Sequence, residues 1–301
     1  MWFHLRIIEN CNLRCKHCYA IQYDRTEKME FELFQDVIKT IKTLPKYYSE
    51  MPRAYLSGGE PLLHPDFDKM LGYAYQHFGK INILTNGILI HTKIDILKQF
   101  KDKLNIQISM EGSKKTNDDI RGTGTHEKII HALDLLNIHE LHHWISYTVS
   151  KTNKHAFREL LNATKETGST FNNVTPYVGD TEYMLSFEEW VDFKYEFMAY
   201  AEKKGIFRGF TPDSCGFNYN CAEYFGGLTI NPDGSCTGCA RHQKIKRPYQ
   251  DMAKYIINQP KLMNETCMAE KWGDNDFFRG LSQMRKKHNI VNRQKYLRNF
   301  S

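Results

Sequence analysis

The chain has 301 residues, of which 41% are hydrophobic and 25% charged, and a formal net charge of +6. These are the proportions of a soluble globular protein with one large domain, or one domain and a small appendage. No apolar run approaches the length of about 18 residues that spans a bilayer, and the apolar start Met1-Trp2-Phe3 is too short for a signal peptide, so cytoplasmic residence is expected.

Short apolar runs alternate with longer amphipathic ones from residue 3 to about residue 205. Residues 3–8 read as a strand and 31–44 as a helix; 54–56 (strand), 66–78 (helix), 81–84 (strand) and 93–100 (helix) follow. The alternation continues with 104–109 (strand), 126–138 (helix), 144–149 (strand), 155–166 (helix) and 173–178 (strand). A helix over 187–204 closes the series, opened by a capping box of Ser186 and Glu189. Six βα units predict an α/β fold with a parallel sheet covered by helices. Six are too few for an eight-unit barrel, so an open, partial (βα)6 barrel of TIM type is expected. After Gly205 the rhythm changes: residues 206–301 are rich in Gly, Asn and Cys, and Pro232-Asp233-Gly234 marks a hairpin turn. This places a barrel domain at 1–205 and a small α+β domain at 206–301.

Eight cysteines without an export signal point to metal binding or chemistry rather than disulfides. Cys11, Cys15 and Cys18 form one group, and Cys215, Cys221, Cys236, Cys239 and Cys267 the other, with none between. The first group directly follows the first strand, where barrel loops form the active-site face. Three thiolates at this spacing can hold a four-iron cluster and leave one iron without a protein ligand. The alternative is a zinc site with His17 or a remote residue as fourth ligand.

Cys-x3-Cys-x2-Cys after the first strand of a partial (βα)6 barrel resembles the signature of radical S-adenosylmethionine (SAM) enzymes. Ser57-Gly58-Gly59-Glu60-Pro61, after the second strand, resembles their Gly-Gly-Glu-Pro segment, which binds the amino group of the cofactor. Glycines permit close backbone approach, and Glu60 offers a carboxylate to an ammonium. Thr85-Asn86-Gly87 ends the third strand as in the family. Ile108-Ser109-Met110-Glu111-Gly112 resembles the Ser-x-Asp-Gly segment of peptide-modifying members, with Glu111 in place of Asp. By this resemblance Ser109 contacts the cofactor ribose and Arg121 its carboxylate, while His17 stands where the family prefers an aromatic or apolar residue near the adenine. The implied reaction is reductive cleavage of SAM to a 5′-deoxyadenosyl radical, which abstracts a substrate hydrogen; a flavodoxin or ferredoxin type of reductant is implied as electron donor.

Cys221, Gly234 and Cys239 resemble the opening half of the SPASM/twitch motif, in which a hairpin helps to hold an auxiliary four-iron, four-sulfur cluster. Taken alone, Cys236 and Cys239 would also suit a zinc ribbon. The resemblance implies one auxiliary cluster, with Cys221, Cys236, Cys239 and Cys267 as ligands and Cys215 as a substitute ligand, a hydrogen-atom donor or an inert thiol. Such enzymes often modify ribosomal peptides by thioether formation, C–C crosslinking or epimerisation, and a peptide is the expected substrate, with peptide recognition possible on a separate chain. Radical oxidation or dehydration of a sugar, cyclitol or nucleotide is the second expectation, and a non-catalytic zinc-stabilised nucleic-acid binder the third. Clustered basic residues at Arg285, Lys286 and Lys287 fit a solvated helix face better than a nucleic-acid surface.

Overall fold

The computed structural model describes residues 2–18, 26–44, 52–178, 181–205, 227–237 and 247–254. Strands and helices alternate in the order β1 (Trp2–Ile8), α1 (Phe31–Lys42), β2 (Arg53–Gly58), α2 (Phe67–His77), β3 (Lys80–Thr85) and α3 (Ile90–Lys98). Next come β4 (Leu104–Ser109), α4 (Lys114–Arg121), α5 (Thr125–Ile138), β5 (His143–Val149), α6 (Phe157–Glu166), β6 (Thr170–Pro176) and α7 (Phe187–Lys203). Three short strands follow: β7 (Gly227–Ile230), β8 (Ser235–Thr237) and β9 (Arg247–Pro248). All nine belong to one sheet of order β6-β5-β4-β3-β2-β1-β7-β8-β9. Pairing is parallel from β6 to β7, and antiparallel where β8 and β9 are added. Among the described residues the sheet ends at β6 and β9 and does not close on itself. The six βα units of an open barrel are therefore present. The hairpin beyond residue 206 continues the barrel sheet, because β7 pairs with β1.

Local sequence explains the elements. In α1 the buried residues Phe34, Val37, Ile38 and Ile41 recur at helical spacing, with Glu32 in the first turn and Lys39 and Lys42 in the last, where each complements the helix dipole. The capping box of α7 is formed: the Glu189 amide donates to Ser186 Oγ at 3.1 Å, and the Ser186 amide to Glu189 Oε2 at 2.8 Å. The turn between β7 and β8 closes through Gly234 N to Asn231 O at 2.9 Å, with Gly234 at φ +80°.

The two faces of the sheet differ. Phe3, Leu5, Ile7, Leu56, Ile83, Ile106 and Ile145 are fully buried in the main core. Each such side chain contributes about 1.5–3 kcal/mol relative to exposure. The alternate positions carry His4, Arg6, Tyr55, Ser57, Asn82, Asn105, Gln107, Ser109, Trp144 and Ser146, and the register aligns His4 with Tyr55, Tyr55 with Asn82 and Asn82 with Asn105. Parallel sheets covered on both faces are apolar on both. A polar second face marks the interior of an open barrel. Among the described residues no helix is long and apolar enough to cross a membrane.

Candidate active site at the carboxyl ends of the strands

The cysteine loop leaves β1 after a register shift between Arg6 and Ile8, and two glycines lock it to the next loop. Gly59 N donates to Ile8 O at 2.7 Å and Glu60 N to Asn10 O at 2.8 Å. A Cβ at Gly58, whose φ is +139°, would stand 1.8 Å from Ile8 O; one at Gly59 would stand 2.2 Å from Asn10 O. Only glycine permits this contact. The cysteine loop is also tied to the end of α4, since Lys16 N donates to Ile120 O at 2.9 Å.

Glu60 is fully buried. Its Oε1 accepts from Leu62 N at 3.1 Å and Thr85 Oγ1 at 2.7 Å, and its Oε2 from Asn86 N at 2.8 Å. Burial raises its pKa to about 7 against the opposing effect of these donors. The carboxylate thus braces the loop after β3. That loop reaches back to the cysteines: Asn86 Nδ2 donates to Asn12 Oδ1 at 2.8 Å and lies 3.7 Å from Cys11 Sγ.

A second buried carboxylate stands at the end of β4. Glu111 Oε1 meets His17 Nε2 at 3.0 Å, Arg121 Nε at 3.2 Å and Arg121 Nη2; Oε2 accepts from Thr148 N and Asn153 Nδ2, each at 3.2 Å. Burial pushes its pKa up, but His17 and Arg121 outweigh that effect and hold it at about 2. The remaining Arg121 nitrogen, Nη1, lies 3.9 Å from Cys15 Sγ. His17 Nδ1 is buried without a partner among the described residues, and its ring lies 6.4 Å from that of Tyr177, just past β6.

The three thiols are half-buried and close enough to influence one another electrostatically. Burial raises the pKa of Cys11 and Cys15, so a cationic group is needed to hold them as thiolates. Nitrogen donors already surround the sulfurs: Leu13 N lies 3.4 Å from Cys11 Sγ, beside the contacts from Asn86 and Arg121. Such donors are a feature of iron–sulfur sites, and the donor set fits a thiolate-bound cluster. Among the described residues no group of three or more His, Cys, Asp or Glu side chains is arranged to hold a single metal ion. Residues 5–164, just over half the chain, match the Radical SAM superfamily. The chain belongs to this superfamily.

Among radical SAM relatives, mycofactocin maturase MftC of Mycobacterium tuberculosis is 30% identical over 128 residues, 42% of this chain and 32% of MftC. The antilisterial bacteriocin subtilosin biosynthesis protein AlbA of Bacillus subtilis is 22% identical over 302 residues, 88% of this chain and 63% of AlbA. The chain thus matches 32% of the length of the one relative and 63% of the other, less than two thirds in each case. The structure of anSMEcpe with bound AdoMet and Kp18Cys peptide superposes with a TM-score of 0.70 at 20% identity, covering 92% of this chain and 83% of that one. This likeness establishes the radical SAM fold.

The structure brings Cys11, Cys15, Cys18, His17, Gly58, Gly59, Glu60 and Arg121 to one end of the barrel, and Ser109 closes β4 there, half-buried beside Ser146. Two side chains do more than their motifs imply. Glu60 binds backbone amides and Thr85, and Arg121 spends two of its three nitrogens on Glu111. Cys236 is fully buried in the core on β8, its thiol 3.7 Å from Pro248 O, and burial raises its pKa to about 11. Cys215, Cys221, Cys239 and Cys267 lie outside the described residues. Asn86 and Asn153 join the site; the first falls in the Thr-Asn-Gly segment, whereas nothing local in the sequence marks the second.

Proposed function

We propose that this chain is a radical SAM enzyme that modifies a peptide. Cys11, Cys15 and Cys18 would hold the cluster, with the backbone of residues 58–60 and the end of β4 beside it. When bound, the cluster and SAM supply the reducing electron and a 5′-deoxyadenosyl radical that abstracts a substrate hydrogen. The protein's part is to fix the cysteine loop. The observation that carries the reading is the double strap of Gly59 and Glu60 onto Ile8 and Asn10, which sets the glycine loop against the three cysteines. Peptide as substrate class is supported by AlbA, which serves bacteriocin biosynthesis, and by anSMEcpe, which binds a peptide. An external one-electron donor of flavodoxin or ferredoxin type, a cytoplasmic setting and a separate peptide-recognition chain belong to the same proposal. So does an auxiliary cluster at 206–301, with Cys221, Cys236, Cys239 and Cys267 as ligands and Cys215 as a substitute ligand. The test is anaerobic incubation with dithionite and SAM. 5′-Deoxyadenosine is expected from the iron-loaded protein and none when Cys11, Cys15 and Cys18 are replaced by alanine; undiminished release from that variant would refute the assignment.

A further inference from the structure

Arg121 ends α4 with its side chain only 8% exposed, and its geometry is fixed from both sides. Nε and Nη2 bind Glu111, which is itself pinned by Thr148 N and Asn153 Nδ2. The Glu111 amide donates to Asn117 Oδ1 at 3.1 Å, which anchors the backbone as well. The fork leaves Nη1 facing Cys15 Sγ at 3.9 Å, while the Lys16 to Ile120 hydrogen bond holds the cysteine loop against the same helix end. A cation that is buried and immobile acts far more strongly than one in water, and donors to cluster sulfurs set cluster potentials.

We propose that Arg121, oriented by Glu111, is a positioning residue that fixes a cation beside the Cys15 sulfur and thereby raises the reduction potential of the cluster bound there. The inference rests on the reading that the first three cysteines hold a cluster. Reduction by one electron adds negative charge, which a nearby guanidinium stabilises and a nearby carboxylate opposes. Arg121 Nη1 contacts Cys15 Sγ directly, and the guanidinium acts on that thiol more strongly than the Glu111 carboxylate does, so its effect dominates. Removing the anion alone should raise the potential, and removing both charges should lower it. A role confined to holding the loop together predicts no such opposition of sign.

The experiment is an EPR-monitored potentiometric titration of the anaerobically reconstituted full chain, with iron and sulfide content measured in parallel. Glu111→Gln keeps an acceptor for Arg121 and is expected to raise the midpoint. The double variant Glu111→Gln/Arg121→Gln is expected to lower it. A tenfold change in the equilibrium constant for reduction in each direction corresponds to about 59 mV for a one-electron couple. Midpoints unchanged at full cluster content, or shifted in the same direction in both variants, overturn the proposal. If the double variant loses its cluster, Glu111→Gln decides alone: an upward shift supports the proposal and an unmoved midpoint refutes it. A folded wild-type chain that takes up no cluster would instead refute the underlying functional reading.

Discussion

Glu60 offers a sharp test of how the cofactor-binding loops are held. Its carboxyl titrates at about 7 in the folded protein, against an ordinary value of 4.5, because burial outweighs the three donors and the more distant Arg121. A carboxylate raised in this way binds its proton more tightly when folded. Its contribution to stability is therefore complete below pH 4.5 and is lost as pH rises through 7. At about 1.4 kcal/mol per pH unit the whole displacement is worth about 3 kcal/mol, of which about 2 kcal/mol falls between pH 5 and pH 8. Glu60→Gln is nearly isosteric with the protonated acid and cannot ionise. Its amide nitrogen would face the Asn86 N–H, so the variant should start below the wild type at pH 5 and gain on it by about 2 kcal/mol by pH 8. Urea denaturation of the metal-free protein under anaerobic conditions, followed by tryptophan fluorescence, measures the difference. Wild-type and variant midpoints that move in parallel between the two pH values would show that Glu60 is not the buried, proton-sensitive brace deduced here.

Three further outcomes are expected. Gly59→Ala places a Cβ 2.2 Å from Asn10 O, so the strap must open; SAM affinity measured by equilibrium dialysis should fall at least tenfold, and retained affinity would exclude a role for this contact. Glu111 has its pKa depressed to about 2, so it contributes about 3 kcal/mol that is present above pH 4.5 and lost as pH falls through 2. Acid unfolding should accordingly narrow the stability gap between wild type and Glu111→Gln, whereas a gap constant with pH counts against the assignment. Cys236→Ala and Cys239→Ala should each lose the auxiliary iron and keep that of the first cluster, as measured by iron content; iron unchanged in Cys236→Ala would make this buried thiol a packing residue instead of a ligand.

Much of this was legible because it was written locally. Short apolar runs marked the strands, and the helical spacing of Phe34, Val37, Ile38 and Ile41 marked α1. The cysteine and Gly-Gly-Glu loops lie at strand ends, as their spacing implied. Helix α4 was not legible. Its sequence Lys-Lys-Thr-Asn-Asp-Asp-Ile-Arg has one strongly apolar residue, and the face it buries, Asn117, Ile120 and Arg121, is mostly polar, so no apolar stripe marks it. What stabilises it is tertiary: Asp118 accepts from Gly124 N and His126 N, and Asn117 links Glu111 N to Thr125 Oγ1. The position of Arg121 therefore depended on contacts that no local pattern encodes. The same holds for β7, whose pairing with β1 joins residues more than two hundred positions apart, and for the burial of Cys236, which follows from that pairing.

The polar inner face of the sheet also indicates where a substrate gains its binding energy. Toward the amino ends of the strands the polar groups bind one another: Asn105 Nδ2 donates to Asn82 Oδ1 at 3.1 Å and Asn82 Nδ2 to Ala54 O at 3.3 Å, while nearer the carboxyl end of β2 His4 pairs with Ser57. Trp144 Nε1 similarly donates to Gln107 Oε1 at 3.1 Å. A ligand reaching these groups must break bonds that already exist, and each buried group left unpaired costs about 1–3 kcal/mol. At the opposite end, beside the cysteines, His17 Nδ1 is buried without a partner among the described residues, so a polar group arriving there relieves a cost instead of creating one. Thr229 Oγ1, in register with His4, is the other buried side-chain atom without a partner among the described residues, so this face holds an unmet polar group at each level.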